Sequence, residues 1–171
     1  MFVVDNGLMT NDNSETLRFI KEVEAAGVDY ITIHGRLRSQ RSSTPPNFSA
    51  IKFLKSHATV PILANGDVYS LRDAHNIAAE TGVDGVMSAR GLLENPALFA
   101  GYETTPLEAV ARFMHYCTLG GMRHELVVHH IAEMCGKMTS RKQRVGLMNC
   151  ADMVDVIDWL DERWELQRME V

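Results

Sequence analysis

Three short polar segments that contain glycine recur between residues 34 and 91, and each directly follows an apolar run. They are His34-Gly35-Arg36, Asn65-Gly66-Asp67 and Ala89-Arg90-Gly91. Glycine lets backbone N–H groups approach an anion, arginine adds charge-assisted hydrogen bonds, and an imidazole can donate to a ligand. Each glycine pair alone could be a tight turn, and His34 could be a structural cap. Their recurrence favours a site for a phosphorylated ligand.

The elements that must position these segments alternate from Asp12 to Gly101. Amphipathic helical patterns alternate with short β-branched runs, which is typical of βαβ units around a parallel sheet. Strands are predicted at residues 30–34, 61–64 and 85–89, and helices from the Asp12-Glu15 capping pair to Gly27, from Phe48 to before Val60, and from the Ser70-Asp73 pair to Gly82. All three polar segments then lie at carboxyl ends of parallel strands, the active face of a (β/α)8 barrel. The loops after the last two strands of such barrels, with a short helix here expected at residues 92–100, often bind phosphate.

After Gly101 the strand pattern stops and only helices are predicted. The first begins at Thr105, read as the N-cap before Pro106, and ends at Gly120-Gly121. Others are predicted at residues 123–138, 141–149 and 152–167, with Val154, Ile157, Leu160 and Trp164 as the core stripe of the last one. These patterns predict two domains, residues 1–103 and 104–171.

The charge of the chain restricts where a nucleic acid could bind. The net charge is -5 with a pI near 5.8, so an RNA contact would need a local basic patch. Two such clusters are present, comprising Arg36, Arg38 and Arg41, and Lys137, Arg141, Lys142 and Arg144. Either cluster could instead be an ordinary solvated face.

Cysteine and hydropathy patterns exclude several classes of protein. Cys117, Cys135 and Cys150 are odd in number and widely spaced, which predicts buried reduced thiols rather than disulfides or zinc ligands. His129-His130 lacks the partners of a metal site. Because neither a signal peptide nor a membrane span is indicated, we expect an intracellular protein, in the cytoplasm or alternatively the nucleus.

Three runs of the sequence resemble the tRNA-dihydrouridine synthase family. ITIHGRLRSQR, VPILANGDVYSLRDA and DGVMSARGLLENPALFAGYETTPLEA are similar to its sixth, seventh and eighth βα units, and the similarity covers about residues 15–165. The phrases ARGLLENPALFAGYE and KMTSRKQRV most resemble the eukaryotic class that acts on uridines 20a and 20b. The resemblance implies an α/β fold: the C-terminal part of an FMN-binding TIM (β/α)8 barrel followed by an all-α helical bundle that binds tRNA.

The resemblance also implies roles for individual residues. His34 would lie near the isoalloxazine of FMN, and the ribityl phosphate would be held by Asn65, Gly66, Asp67, Ala89, Arg90 and Gly91. NADPH or NADH would reduce the flavin, which would pass hydride to C6 of a flipped uracil while a cysteine protonates C5. The two basic clusters would then contact RNA phosphates.

Departures from the family pattern concern the catalytic acid and one loop. The segment with the general-acid cysteine belongs to an earlier strand that this sequence lacks, and no lysine stands before Asn13, where a flavin-contacting lysine is expected. Residues 37–47 also differ from the shorter, His-containing loop of relatives. We therefore expect no catalytic residue in this chain and no activity of the chain alone. The alternatives are a non-catalytic RNA-binding remnant and a phosphate-binding barrel enzyme of small-molecule metabolism.

Overall fold

A computed structural model describes residues 2–4 and 13–164, with side chains from residue 13 onward. It divides into two compact units, Met1–Ala89 and Arg90–Val171. The first unit contains β1 (Phe2–Val4), α1 (Asn13–Ala25), β2 (Ile31–His34), α2 (Phe48–His57), β3 (Ile62–Asn65), α3 (Leu71–Thr81) and β4 (Gly85–Met87). The second contains α4 (Arg90–Glu94), a 3-10 helix (Leu98–Ala100), α5 (Leu107–Gly120), α6 (His124–Met134), α7 (Arg141–Met148) and α8 (Met153–Trp164).

The four strands of the first unit form one parallel sheet in the order β1-β2-β3-β4. Sequential order in a parallel sheet follows from strands that are each separated by one crossover helix. Ile31 pairs with Ile62 in the register, and both side chains are fully buried. Because successive side chains of a strand point to opposite faces, His34 and Asn65 share the other face. The predicted βαβ alternation is confirmed for the described residues.

The ends of the helices follow their local sequence. The hydroxyl of Ser70 accepts the N–H of Asp73 at 3.0 Å and caps α3, which Gly82 ends in the left-handed conformation with φ 71°. Gly27, with φ 85°, follows α1 in the same way. Asp12, predicted to cap α1, and the part of the predicted last helix beyond Trp164 lie outside the described residues.

The region predicted as one helix over residues 92–100 is two short helices instead. Asn95 ends the first, because its Oδ1 accepts the N–H of Ala97 at 3.0 Å and the next residue, Pro96, has no N–H to continue the ladder. The predicted cap of α5 is also wrong. The N-cap of that helix is Pro106, and the Thr105 hydroxyl donates to the carbonyl of Glu94 at 2.7 Å.

Helices α5 to α8 of the second unit share one apolar core. Its members include Val110, Ile131, Leu147, Val156 and Leu160. The predicted stripe of α8 is partly wrong, since Val154 is 62% exposed and the buried positions are Val156, Trp159 and Leu160. Helix α4 packs against α6 inside this unit. The predicted domain boundary at residues 103/104 falls within this unit and stays a prediction.

Two of the three cysteines belong to this core. Cys117 and Cys135 are 4% and 1% exposed, and Cys150 is partly buried beside them. Burial raises the pKa of the Cys135 thiol to about 12, and it also raises the pKa of Cys117. All three are free thiols, and the prediction of burial holds for Cys117 and Cys135 but not for Cys150, which is only partly buried.

Candidate functional site

The carboxyl ends of β2 and β3 bring two predicted site residues side by side. His34 is the register partner of Asn65, and the N–H of Gly35 donates to the Asn65 carbonyl at 3.1 Å. The Nδ1 atom of His34 accepts the backbone N–H of Arg36 at 3.1 Å. In a neutral ring the proton is therefore on Nε2, so this imidazole can serve as a hydrogen-bond donor at the strand end.

A left-handed turn follows β3. Gly66 has φ 134° and Asp67 has φ 51°, and Asp67 is the one non-glycine residue with positive φ among the residues that the structure describes. Successive unusual backbone conformations of this kind can orient N–H groups toward an anion. The hydroxyl of Ser88, 7% exposed at the end of β4, donates to the Val68 carbonyl at 2.7 Å and fixes the far side of the turn.

Arg36 lies almost fully inside the first unit, with 5% of its surface exposed. Its guanidinium forms an ion pair with Asp67, donates through Nη2 to the Ser42 carbonyl at 3.0 Å, and donates through Nε to the carbonyl of Thr44. One cation thus joins the end of β2, the loop of residues 37–47 and the turn after β3. The prediction that Arg36 contacts RNA stays untested, and these contacts favour a role inside the protein.

Pro46 closes this loop over two glycines. A Cβ at Gly35 would lie 2.8 Å from the Pro46 Cβ, and a Cβ at Gly66 would lie 3.0 Å from its Cγ. The N–H of Asn47 also donates to the Gly35 carbonyl at 2.6 Å. Gly35 is therefore required by the packing of the loop, whereas Gly66 is required by its backbone conformation and is also closely approached by Pro46.

The third predicted segment spans the division of the chain, with Ala89 as the last residue of the first unit and Arg90 as the first residue of the second. Ala89 is exposed, Arg90 is the exposed first residue of α4, and Gly91 is buried with its carbonyl accepting the N–H of Asn95 at 2.8 Å. The side-chain Nδ2 of Asn95 donates to the Tyr102 carbonyl at 2.7 Å. Gly91 and Asn95, which belong to the run that resembles the family, therefore stabilise the reversal of the chain between residues 91 and 102.

The basic cluster around α7 separates into two kinds of residue. Arg144 donates to the carbonyls of Gly136 and Thr139 at 2.8 and 2.6 Å, and Lys137 pairs with Glu94 at 3.4 Å. Arg141 and Lys142 are exposed in the first turn of α7, after a complete capping box of Ser140 and Gln143. Arg38 and Arg41 are likewise exposed, in the loop of the first unit.

Sequence reasoning did not single out Ser88, Pro46 or the carbonyls of Ser42 and Thr44. Their roles depend on contacts between elements, which leave no local pattern. Within the described residues, no group of three His, Cys, Asp or Glu side chains could hold a metal ion. No helix in the same part of the chain has the length and apolar composition needed to cross a membrane.

Comparison with known proteins finds relatives that all carry the name of dihydrouridine synthases. A family model described as "Dihydrouridine synthase (Dus)" matches residues 7–156. A tRNA-dihydrouridine(20a/20b) synthase of Schizosaccharomyces pombe is 44% identical over 160 residues, which cover 94% of this chain and 49% of the relative. The protein of that name in Saccharomyces cerevisiae is 42% identical over 159 residues, covering 90% and 43%. The human tRNA-dihydrouridine(20a/20b) synthase-like protein is 37% identical over 154 residues, covering 90% and 48%.

The names of both yeast proteins specify NAD(P)+. The chain spans about half the length of these curated relatives.

Proposed function

The chain belongs to the dihydrouridine synthase family, and we propose that it acts in the FMN- and NAD(P)H-dependent reduction of uridine to 5,6-dihydrouridine in the D-loop of tRNA. The observation that carries this proposal is the strand-end arrangement of His34 beside the Gly66-Asp67 turn. Family membership argues against a barrel enzyme of small-molecule metabolism.

Sheet topology supports the proposed architecture. Four parallel strands in sequential order are what one side of a (β/α)8 barrel requires. We propose that β1 to β4 form such a side, with the remaining strands supplied by sequence that the longer relatives contain. Residues 104–171 would form the helical tRNA-binding domain.

The residues of the first unit fit a phosphorylated cofactor on two observations. The turn at Gly66 and Asp67 has the positive φ angles of an anion-binding backbone, and the Nε2 proton of His34 is set by the bond at Nδ1. We propose that Asn65, Gly66 and Asp67 hold the phosphate end and that His34 donates to the flavin ring. The assignment of Ala89, Arg90 and Gly91 to the same phosphate rests on the sequence resemblance. FMN would supply hydride-transfer chemistry.

The proton for C5 of uracil needs a separate donor. All three cysteines lie after residue 103, two of them are buried, and burial raises the pKa of each of those two thiols. These two buried thiols cannot reach a substrate, and Cys150 packs against the same helical core. We therefore propose that the catalytic acid lies outside residues 1–171.

For tRNA, the exposed arginines and lysine are the proposed phosphate contacts. They are Arg38, Arg41, Arg141 and Lys142. Arg36, Lys137 and Arg144 are engaged in bonds within the protein, so their proposed contribution to RNA binding is indirect. Local clusters of this kind can bind phosphates in spite of a net charge of -5.

The test first measures FMN binding by flavin fluorescence. The sample is the protein encoded by the longest natural reading frame that contains this chain. Gly66→Ala should weaken FMN binding, because the added Cβ meets Pro46 and the turn loses its conformation. Gly82→Ala is the matched control, since Gly82 also has positive φ but has nothing within 4 Å of its Cβ position. Equal FMN affinity in both variants would argue against the turn as a phosphate site.

Activity is then measured with NADPH or NADH and unmodified tRNA, and dihydrouridine is quantified by mass spectrometry. Formation of dihydrouridine would support the proposal that the protein is an enzyme. A non-catalytic RNA-binding protein is the second candidate, and it is favoured by the absence of cysteine from residues 1–103. It would bind tRNA without binding flavin and without producing dihydrouridine.

A further inference from the structure

Arg36 is a buried cation that directly precedes the loop of residues 37–47, and its side chain bonds to that loop and to the turn after β3. Two carbonyls of the loop, those of Ser42 and Thr44, accept from its guanidinium, and its ionic partner is Asp67. The neighbouring Arg38 and Arg41 are exposed. The three arginines of this cluster are therefore not equivalent.

Asp67 is the partner that connects Arg36 to the proposed phosphate turn. Its φ of 51° is unfavourable for an L residue, although Asp and Asn tolerate it better than most. A backbone held in such a region needs support from its surroundings. The ion pair supplies that support from one side, and the bond from Ser88 to the Val68 carbonyl supplies it from the other.

Burial makes this pair sensitive to the loss of either partner. The Arg36 side chain is 5% exposed and that of Asp67 is 33% exposed, so a lone Arg36 charge would stay largely desolvated. Removing one member of a buried pair costs more than removing both, because the remaining charge has no partner. The guanidinium would then turn toward solvent, and its hydrogen bonds to the Ser42 and Thr44 carbonyls would be lost.

From these contacts we propose that the side chains of Arg36 and Asp67 position the flavin-phosphate site: their ion pair holds the backbone of the Gly66-Asp67 turn in its anion-binding conformation, and Arg36 at the same time closes residues 37–47 over it. The inference rests on the proposed function. It assigns Arg36 to cofactor binding through Asp67 rather than to direct contact with RNA.

The first experiment compares the dissociation constants of FMN and riboflavin, which lacks the phosphate, in the longest natural reading frame. Arg36→Gln and Asp67→Asn should each raise the Kd of FMN on the order of tenfold. The Kd of the double variant should be no higher than that of the single variant that binds FMN more weakly. The Kd of riboflavin should stay unchanged. Lys52→Gln and Asp29→Asn, at exposed positions of the same unit, are the charge-matched controls.

The second experiment measures loop closure without any cofactor, by the rate of tryptic cleavage between Arg41 and Ser42. This bond is held in a turn in which the Arg41 carbonyl accepts the N–H of Thr44 at 3.0 Å and the Ser42 carbonyl accepts from Arg36. Both single variants should be cleaved faster than the wild type. Arg36→Lys should restore FMN affinity through the ion pair but stay fast in cleavage, because an ammonium lacks the fork that reaches both carbonyls.

The possible outcomes separate this inference from the proposed function. Equal losses of FMN and riboflavin affinity, or strictly additive effects in the double variant, would overturn the positioning role while leaving flavin binding intact. Unchanged cleavage in Arg36→Gln would overturn the loop closure. A wild-type protein that binds neither flavin would overturn the proposed function, and the inference with it.

Discussion

The carboxylate of Glu24, near the end of α1, accepts the backbone N–H of Thr59 at 2.5 Å and so ties α1 to the connection between α2 and β3. It also accepts from the N–H of Val60 at 3.2 Å and from Lys21 at 2.9 Å. Burial alone would raise the pKa of Glu24, but these hydrogen bonds outweigh it and lower the pKa from 4.5 to about 2.

This depressed pKa predicts acid sensitivity of the first unit. The stabilisation by Glu24 is fully present above the unfolded pKa of 4.5 and is lost as the pH falls toward the folded value of about 2. Glu24→Gln should therefore lower the free energy of unfolding near neutral pH and have a smaller effect at about pH 3. Urea titrations of both proteins at each pH measure this. A constant difference between them would contradict the prediction.

The adjacent glycines at the end of α5 should respond to alanine in opposite directions. Gly120 is helical and Gly121 is left-handed with φ 63°, and neither has an atom within 4 Å of its Cβ position. Gly121→Ala should cost ~1–2 kcal/mol of stability. Gly120→Ala should add up to ~1 kcal/mol, since alanine favours the helix. Fluorescence of Trp159 and Trp164 during urea unfolding reports on this unit, and equal shifts in both variants would contradict the conformational argument.

Arg141 and Arg144 should differ in what they affect, although they lie one turn apart. Arg144→Gln loses two hydrogen bonds to backbone carbonyls and should lower the stability of the second unit by ~1–3 kcal/mol. Arg141→Gln should leave stability within ~0.5 kcal/mol but weaken tRNA binding and flatten its dependence on salt. Binding curves at several salt concentrations test this. An unchanged slope for Arg141→Gln would mean that the exposed face does not contact phosphate.

Arg90 provides a test of the proposed phosphate contact that is independent of Asp67. Arg90→Ala should weaken FMN binding by on the order of 1.5–3 kcal/mol through the loss of one charge-assisted hydrogen bond. Riboflavin affinity should not change. Arg72→Ala, at an exposed position on α3, is the control for a lost surface charge. Unchanged FMN affinity in Arg90→Ala would remove this residue from the proposed site.

The sequence predicted the local parts of the fold well because their signals lie within a few residues. Ser70 and Asp73 begin α3 and Gly82 ends it, as their spacing in the sequence predicts. The strands at His34 and Asn65 end within one residue of the predicted positions. For the same reason, the placement of polar residues at strand ends could be read directly from the sequence.

Features that depend on distant contacts were not predictable in this way. Arg36, Arg38 and Arg41 look alike as a basic run, and only the pairing of Arg36 with Asp67, 31 residues away, distinguishes the buried one. The predicted stripe of α8 included Val154 because a helical period fits several apolar faces, and the packing of Trp159 selects one of them. Thr105 looked like a cap, but its hydroxyl is used by Glu94 instead.

The buried thiols of the second unit also make it possible to measure how fast the helices of that unit separate. Thiolate is the form that reacts with alkylating reagents, so a cysteine at 1% exposure with a pKa near 12 stays unmodified until the surrounding helices separate. The Met1–Ala89 unit contains no cysteine in its sequence. The rate at which Cys135 is alkylated under native conditions would therefore report the opening of the helical unit alone, independently of opening in the unit that contains the sheet.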